Sequence, residues 1–167
     1  MTVRRSAVAC LVLPMLAGVA RADPSALAGH TYVIQMTGPQ VASGLASYLL
    51  PPLTAAFGRA GLVYRAGPDA DYVAIVDTSS DVGAWYGSGS SRRWLYTREV
   101  LIDIGPAAAI EKRPYGARRG VAARLRTPDE DRVDEYACLV DLAVADIAAH
   151  GLPKGRRTIE DSACARP

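Results

Sequence analysis

The stretch Trp94–Ile104, WLYTREVLIDI, alternates regularly enough to decide the architecture around it. Successive side chains of a strand point to opposite sides, so Trp94, Tyr96, Arg98, Val100, Ile102 and Ile104 share one face. Leu95, Thr97, Glu99, Leu101 and Asp103 share the other. Polar members in both sets predict that its outer end is solvated. Working outward, His30–Met36 (HTYVIQM) and Asp71–Asp77 (DYVAIVD) have the β-branched and aromatic character of strands, as does Gly120–Arg126, and Leu62–Tyr64 adds a short one.

Two helices complete the pattern. Val41–Ala60 spaces Leu45, Tyr48, Leu49, Leu53, Ala56, Phe57 and Ala60 along one face. Pro51-Pro52 interrupts it, which predicts a kink, or two short helices with the second starting near Pro52. Thr127-Pro128-Asp129-Glu130 carries a helix-start signature: an N-cap, proline at the first helical position and Glu three residues on. From there Val133, Tyr136, Val140, Ala143, Val144 and Ile147 run down one face to His150, with Gly151 and Pro153 ending the helix. The order β-α-β-β-β-α predicts an α+β fold, a small antiparallel or mixed sheet covered on one face by two helices.

The first 22 residues have a different character. Arg4 and Arg5 precede an apolar run, Ala7–Val19, and Ala20-Arg21-Ala22 supplies a small-x-small cleavage pattern before Asp23. The run has 13 residues, short of the roughly 20 that cross a bilayer. Residues 1–22 therefore read as a secretory signal cleaved after Ala22, and residues 23–167 as one α+β domain with no transmembrane segment. Cys10 stands too close to the arginines for a lipoprotein leader, which argues against a lipid anchor there.

Loss of the leader changes the charge. The whole chain has 19 basic and 17 acidic residues, and the leader removes Arg4, Arg5 and Arg21 but no acid, leaving 16 against 17. A nearly neutral domain lacks the basic excess expected of a general nucleic-acid-binding or membrane-surface protein. The chain has no Asn and only two lysines, Lys112 and Lys154, a bias of GC-rich bacterial genomes that, with the signal, points to the periplasm. Two cysteines then remain, Cys138 and Cys164. In an oxidising compartment they read as a disulfide stapling the C-terminal tail to the last helix. The loop so closed, 27 residues counting both cysteines, is worth about 3–4 kcal/mol by chain entropy.

Chemistry-bearing residues are sparse. Gly83–Arg93, GAWYGSGSSRR, sets Trp85 and Tyr86 beside a Gly/Ser run and Arg92-Arg93. It is neither a Walker loop nor a nucleophile elbow. Its plain reading is a flexible hairpin loop; its functional reading is ligand or partner contact, with the Gly/Ser backbone beside Arg92 and Arg93 cradling an anion and Trp85 and Tyr86 stacking on a flat or sugar-like ligand. Lys112, Arg113, Arg118, Arg119, Arg124 and Arg126 form a basic run, read either as a patch for anionic envelope polymers or lipid head groups or as a hairpin partly neutralised by the acidic start of the last helix. The two histidines, His30 and His150, lie in no catalytic motif, and no metal-ligand spacing or cofactor motif occurs.

The leader, the early strand, a helix ending in F-x-x-x-G (Phe57–Gly61), and Ala70-Asp71-Tyr72-Val73-Ala74-Ile75 form a series, continued by the Gly/Ser loop, the long strand and the last helix. This series resembles the small envelope proteins and lipoproteins of Gram-negative bacteria whose domain is similar to the TolB N-terminal domain. The resemblance covers most of the chain after the leader and implies no catalytic residues. The expected function is thus a non-catalytic periplasmic domain without cofactor that binds an envelope protein or anionic envelope polymer. The rivals are an exported hydrolase using His30 or His150, and a small-molecule carrier with an apolar pocket. The oligomeric state is left open.

Overall fold

The computed structural model describes residues 27–37, 44–110, 119–129 and 133–165. The leader, its cleavage site, Cys10 and the basic residues Lys112, Arg113 and Arg118 lie outside them.

The core is a mixed sheet of seven strands. They are β1 (Thr31–Thr37), β2 (Val63–Tyr64), β3 (Tyr72–Ser80), β4 (Ala84–Tyr86), β5 (Arg93–Pro106), β6 (Gly120–Thr127) and β7 (Arg156–Glu160). The spatial order is β2-β1-β3-β5-β6-β7, with β4 paired to the overhanging start of β5. The middle is antiparallel, since β5 pairs with β3 and β6 in hairpin fashion. The flanks are parallel, β1 with β2 and β6 with β7. Parallel neighbours need a crossover, and α1 (Leu45–Arg59) and α3 (Asp134–His150) supply one on each flank. A four-residue turn of helix, α2 (Ala107–Ile110), follows β5.

The alternation that singled out Trp94–Ile104 holds. Val100, Ile102 and Ile104 are buried with Ala74, Val76, Val121, Ala123 and Leu125 beneath α1 and α3. From the helices come Leu49, Leu53, Ala56 and Phe57, and Tyr136, Leu139, Val140, Ala143, Val144 and Ile147. The ring of Phe57 packs 4.8 Å from that of Tyr32. On the second face Leu101 and Ala122 are also buried, and Glu99 takes the guanidinium groups of both Arg124 and Arg156. Gly120 opens β6 at a φ of 129°, where a Cβ would collide with the carbonyl oxygen of Ile102.

Several expectations need correction. Of the two outcomes expected at Pro51-Pro52, the division is not found: α1 is one helix holding both prolines in its interior, not restarted at Pro52. Burial of Leu49, Leu53, Ala56 and Phe57 against the sheet offsets the loss of two helical N–H donors, whereas Tyr48, expected on the apolar face, is 47 % exposed. The last helix begins at Asp134, and Thr127 does not cap it. Thr127 remains in the ladder opposite Tyr96, and its hydroxyl donates to the Glu135 carboxylate at 2.8 Å. The sequence reading also missed β4 and β7. Among the described residues, Arg124 pairs with Glu99 and Arg126 lies 3.8 Å from Glu160, while Glu130 and Asp131 of the expected acidic start lie outside them.

The expected disulfide is present. Cys138 in α3 joins Cys164 in the short helical turn after β7. Arg157 adds a second tie, with its Nε donating to the Asp146 carboxylate on α3 at 2.7 Å.

Candidate functional site

The residues between Val82 and Arg98 form a projecting arm built from the end of β3, β4 and the overhang of β5. β3 pairs with β5 as far as Ser80 opposite Arg98, and β4 resumes with Ala84 opposite Leu95. Asp81, Val82 and Gly83 thus face only Tyr96 and Thr97. One extra residue on one strand is a β-bulge. Gly83 provides the left-handed conformation it needs, with φ 83°, and a Cβ there would strike the Trp94 indole.

Asp81 satisfies the donors that the bulge takes out of the ladder. Its carboxylate accepts from the N–H of Thr97 at 2.7 Å and of Gly83 at 3.0 Å, and its own N–H donates to the Thr97 carbonyl. Burial works against ionisation of Asp81, but the Thr97 and Gly83 donors outweigh it and hold its pKa below the ordinary value. The bulge ejects Val82, which is 89 % exposed.

The extra residue also reverses parity. Even-numbered residues of β3 face the helices, yet in β4 it is Trp85 that stands opposite Trp94 on that side. The indole centroids lie 5.4 Å apart with planes at 82°. Edge-to-face pairing adds about 0.5–1.5 kcal/mol beyond burial. The pair remains 54 % and 40 % exposed, and the Arg92 guanidinium lies 4.8 Å from the Trp85 ring centroid. The Gly/Ser run closes tightly: Ser91 donates through its hydroxyl to the Ser88 carbonyl at 2.7 Å, within a short helical turn over Gly89–Ser91.

The four residues singled out by sequence are therefore split. Trp85 and Arg92 come together on one side. Tyr86 belongs to the other, opposite Arg93 in register; its hydroxyl is 3.5 Å from that of Thr97, and the Arg126 guanidinium is 4.8 Å from its ring centroid. Sequence reasoning assigned Trp94 to a strand only and passed over Val82. The bulge that brings them into the site has one local signal, the Asp81-Val82-Gly83 break between two β-like runs.

Below the arm lies a buried ionic cluster. Arg98 Nε is 3.1 Å from Glu135 Oε2, and both residues are at most 2 % exposed. The Arg98 guanidinium also donates to the Asp129 carbonyl at 2.7 Å and lies 5.2 Å from the Tyr136 ring centroid. Tyr136 donates from its hydroxyl to the Ser79 carbonyl at 3.4 Å. The cluster fixes the base of the arm, the β6–α3 connection and the first turn of α3 to one another.

Neither histidine occupies such a setting. The His30 side chain is 48 % exposed, with Nδ1 3.7 Å from Asp71. Asp71 accepts from the backbone N–H and the hydroxyl of Thr31, both at 2.8 Å, and its pKa is lowered by these donors first and by His30 last. The His150 side chain is 66 % exposed, 3.0 Å from an Asp146 carboxylate that also holds Arg157. Among the described residues, neither imidazole has a Ser, Thr or Cys side chain as hydrogen-bond partner, and no group of three or more His, Cys, Asp or Glu is placed to hold a metal. A groove of about 430 Å³ runs between α1 and α3, lined by alanines and crossed by the Arg59–Asp141 ion pair at 2.6 Å. No helix among the described residues is long and apolar enough to cross a membrane.

No protein-family model matches this chain, and no curated protein does. Among solved structures, it is similar to a minor lipoprotein from Acinetobacter baumannii, at 19 % identity and a TM-score of 0.42, over 74 % of this chain and 96 % of that one.

Proposed function

We propose that this chain is an exported, non-catalytic envelope domain that contacts an envelope component through the bulged arm. The signal-like leader and the Cys138–Cys164 disulfide support an oxidising compartment, and the sequence series of Phe57–Gly61 and Ala70–Ile75 supports kinship with the TolB N-terminal domain. The observation that carries the reading is the arm itself: a bulge secured by Asp81 holds two indoles and Val82 in solvent, where they contribute little to the core. Conserving fold stability does not require that display. The surface positions of His30 and His150 give the hydrolase reading no comparable support.

Two measurements test this. N-terminal sequencing of the exported protein should begin at Asp23. A photo-reactive side chain at Val82 should form adducts in intact cells that vanish with Trp85→Ala and Arg92→Ala, whereas one at the exposed Lys154 should not. Equal labelling from both positions, or none from Val82, would rule the arm out as the contact element.

A further inference from the structure

We propose that the surface contacted by the arm is an anionic phospholipid bilayer, with Val82, Trp85 and Trp94 seated at its interface and Arg92, on the Trp85 side of the ridge, and Arg93, on the Tyr86 side, against the lipid phosphates. The inference rests on the arm being the contact element and names the partner's chemistry.

Charge comes first. No Asp or Glu occurs from Val82 to Arg98, and the acid just before this stretch, Asp81, is engaged by backbone N–H groups. Arg92 and Arg93 are both exposed, so the arm presents positive charge on a chain that is otherwise nearly balanced. That selects an anionic partner over a neutral one.

Shape comes next. β4 pairs with β5 and with no other strand, so the arm is a ridge, and none of the grooves found elsewhere on the described surface is lined by its residues. A ridge fits a partner that can deform around it. Sugar recognition on tryptophan needs an open ring face, and Arg92 covers one face of Trp85, whose plane stands at 82° to that of Trp94. Indoles beside arginines, with a fully thrust-out aliphatic side chain, are the composition of an interfacial anchor. The arginines stay at phosphate depth while the rings reach the acyl boundary.

The chain's two tryptophans are both in this patch, so its indole emission reports on the arm alone. The protein without its leader should co-sediment with phosphatidylcholine vesicles containing phosphatidylglycerol, with blue-shifted emission, and not with pure phosphatidylcholine. Substituting Arg92→Ser and Arg93→Ser together should weaken partitioning about 25-fold, about fivefold per arginine, with a smaller effect at high salt. Val82→Ser, at a position that is 89 % exposed, should weaken it about threefold to tenfold. No sedimentation with anionic vesicles, equal sedimentation with neutral ones, or binding indifferent to both substitutions would overturn the inference. Arm-dependent cross-linking to an envelope protein or glycan without vesicle binding would also overturn it, while leaving the arm as the contact element.

Discussion

Replacing Glu135 with Gln removes one buried charge and almost no volume, and so isolates the electrostatics of the cluster beneath the arm. Arg98 keeps its charge and, at 2 % exposure, loses its ion pair with the Glu135 carboxylate. At 3.1 Å and an effective dielectric of 20, the lost attraction is about 5 kcal/mol. Water entry and the other contacts of Arg98, its bond to the Asp129 carbonyl among them, reduce this, and breaking a buried pair by removing one charge typically costs about 3–5 kcal/mol. Domain stability is about 5–15 kcal/mol, so the variant should sit near its folding threshold. Urea unfolding followed by far-ultraviolet circular dichroism should show a lower midpoint at an unchanged slope. The Arg98→Met variant should be similarly weak. Combining Arg98→Met with Glu135→Gln should cost well under the sum of the two, with a coupling of about 2 kcal/mol or more. Additive effects, or single losses below about 1 kcal/mol, would refute the reasoning, because the pair would then be hydrated and uncoupled.

Three further outcomes follow from the same geometry. Asp81→Ala should cost about 1 kcal/mol, small because water replaces the lost acceptor at an exposed site. It should also weaken the near-ultraviolet signal of the Trp85–Trp94 pair; since the folded pKa is lowered, the wild-type contribution is present above the ordinary carboxylate value and lost as pH falls through the lowered one. Replacing both Cys138 and Cys164 with Ser should remove about 3–4 kcal/mol, and a reductant should lower the melting temperature of the wild type but not of that variant. The Tyr32 hydroxyl is buried without a hydrogen-bond partner among the described residues, and burial, then Tyr64, pushes its pKa up to about 12. Tyr32→Phe should therefore be neutral or stabilising by up to about 1 kcal/mol. The wild type should lose stability as pH rises from 10.0 towards 12, because the unfolded chain releases that proton first, and the variant should lose less.

The parts that sequence predicted best are those where local pattern and tertiary packing agree. β5 was legible because alternating side chains meet a helix layer on one face and the sheet's second face on the other. The body of α3 was legible from Tyr136 to Ile147 for the same reason. Its start was not, since Thr127-Pro128-Asp129-Glu130 matches a capping signature yet Thr127 finds better partners in Tyr96 across the ladder and in Glu135. Pro51-Pro52 misled through local cost, which four buried α1 side chains outweigh. β7, RRTIE, has little apolar alternation to read; its place follows from backbone pairing with β6, the Arg157–Asp146 tie and the disulfide. Trp85 and Arg92 were visible as candidates, but their grouping with Trp94 rather than Tyr86 depends on register, which no local pattern records.

The bulge at Asp81–Gly83 makes the arm's display a matter of counting. Deleting Val82 would leave two residues facing two, and the hairpin would resume in the parity of β3. Tyr86 would then turn to the side now held by Trp85, and Trp85 to the side now held by Tyr86, without any change in their identity. Among relatives of this chain, then, a one-residue length difference before β4 inverts the surface presented, while substitutions of the displayed side chains only retune it.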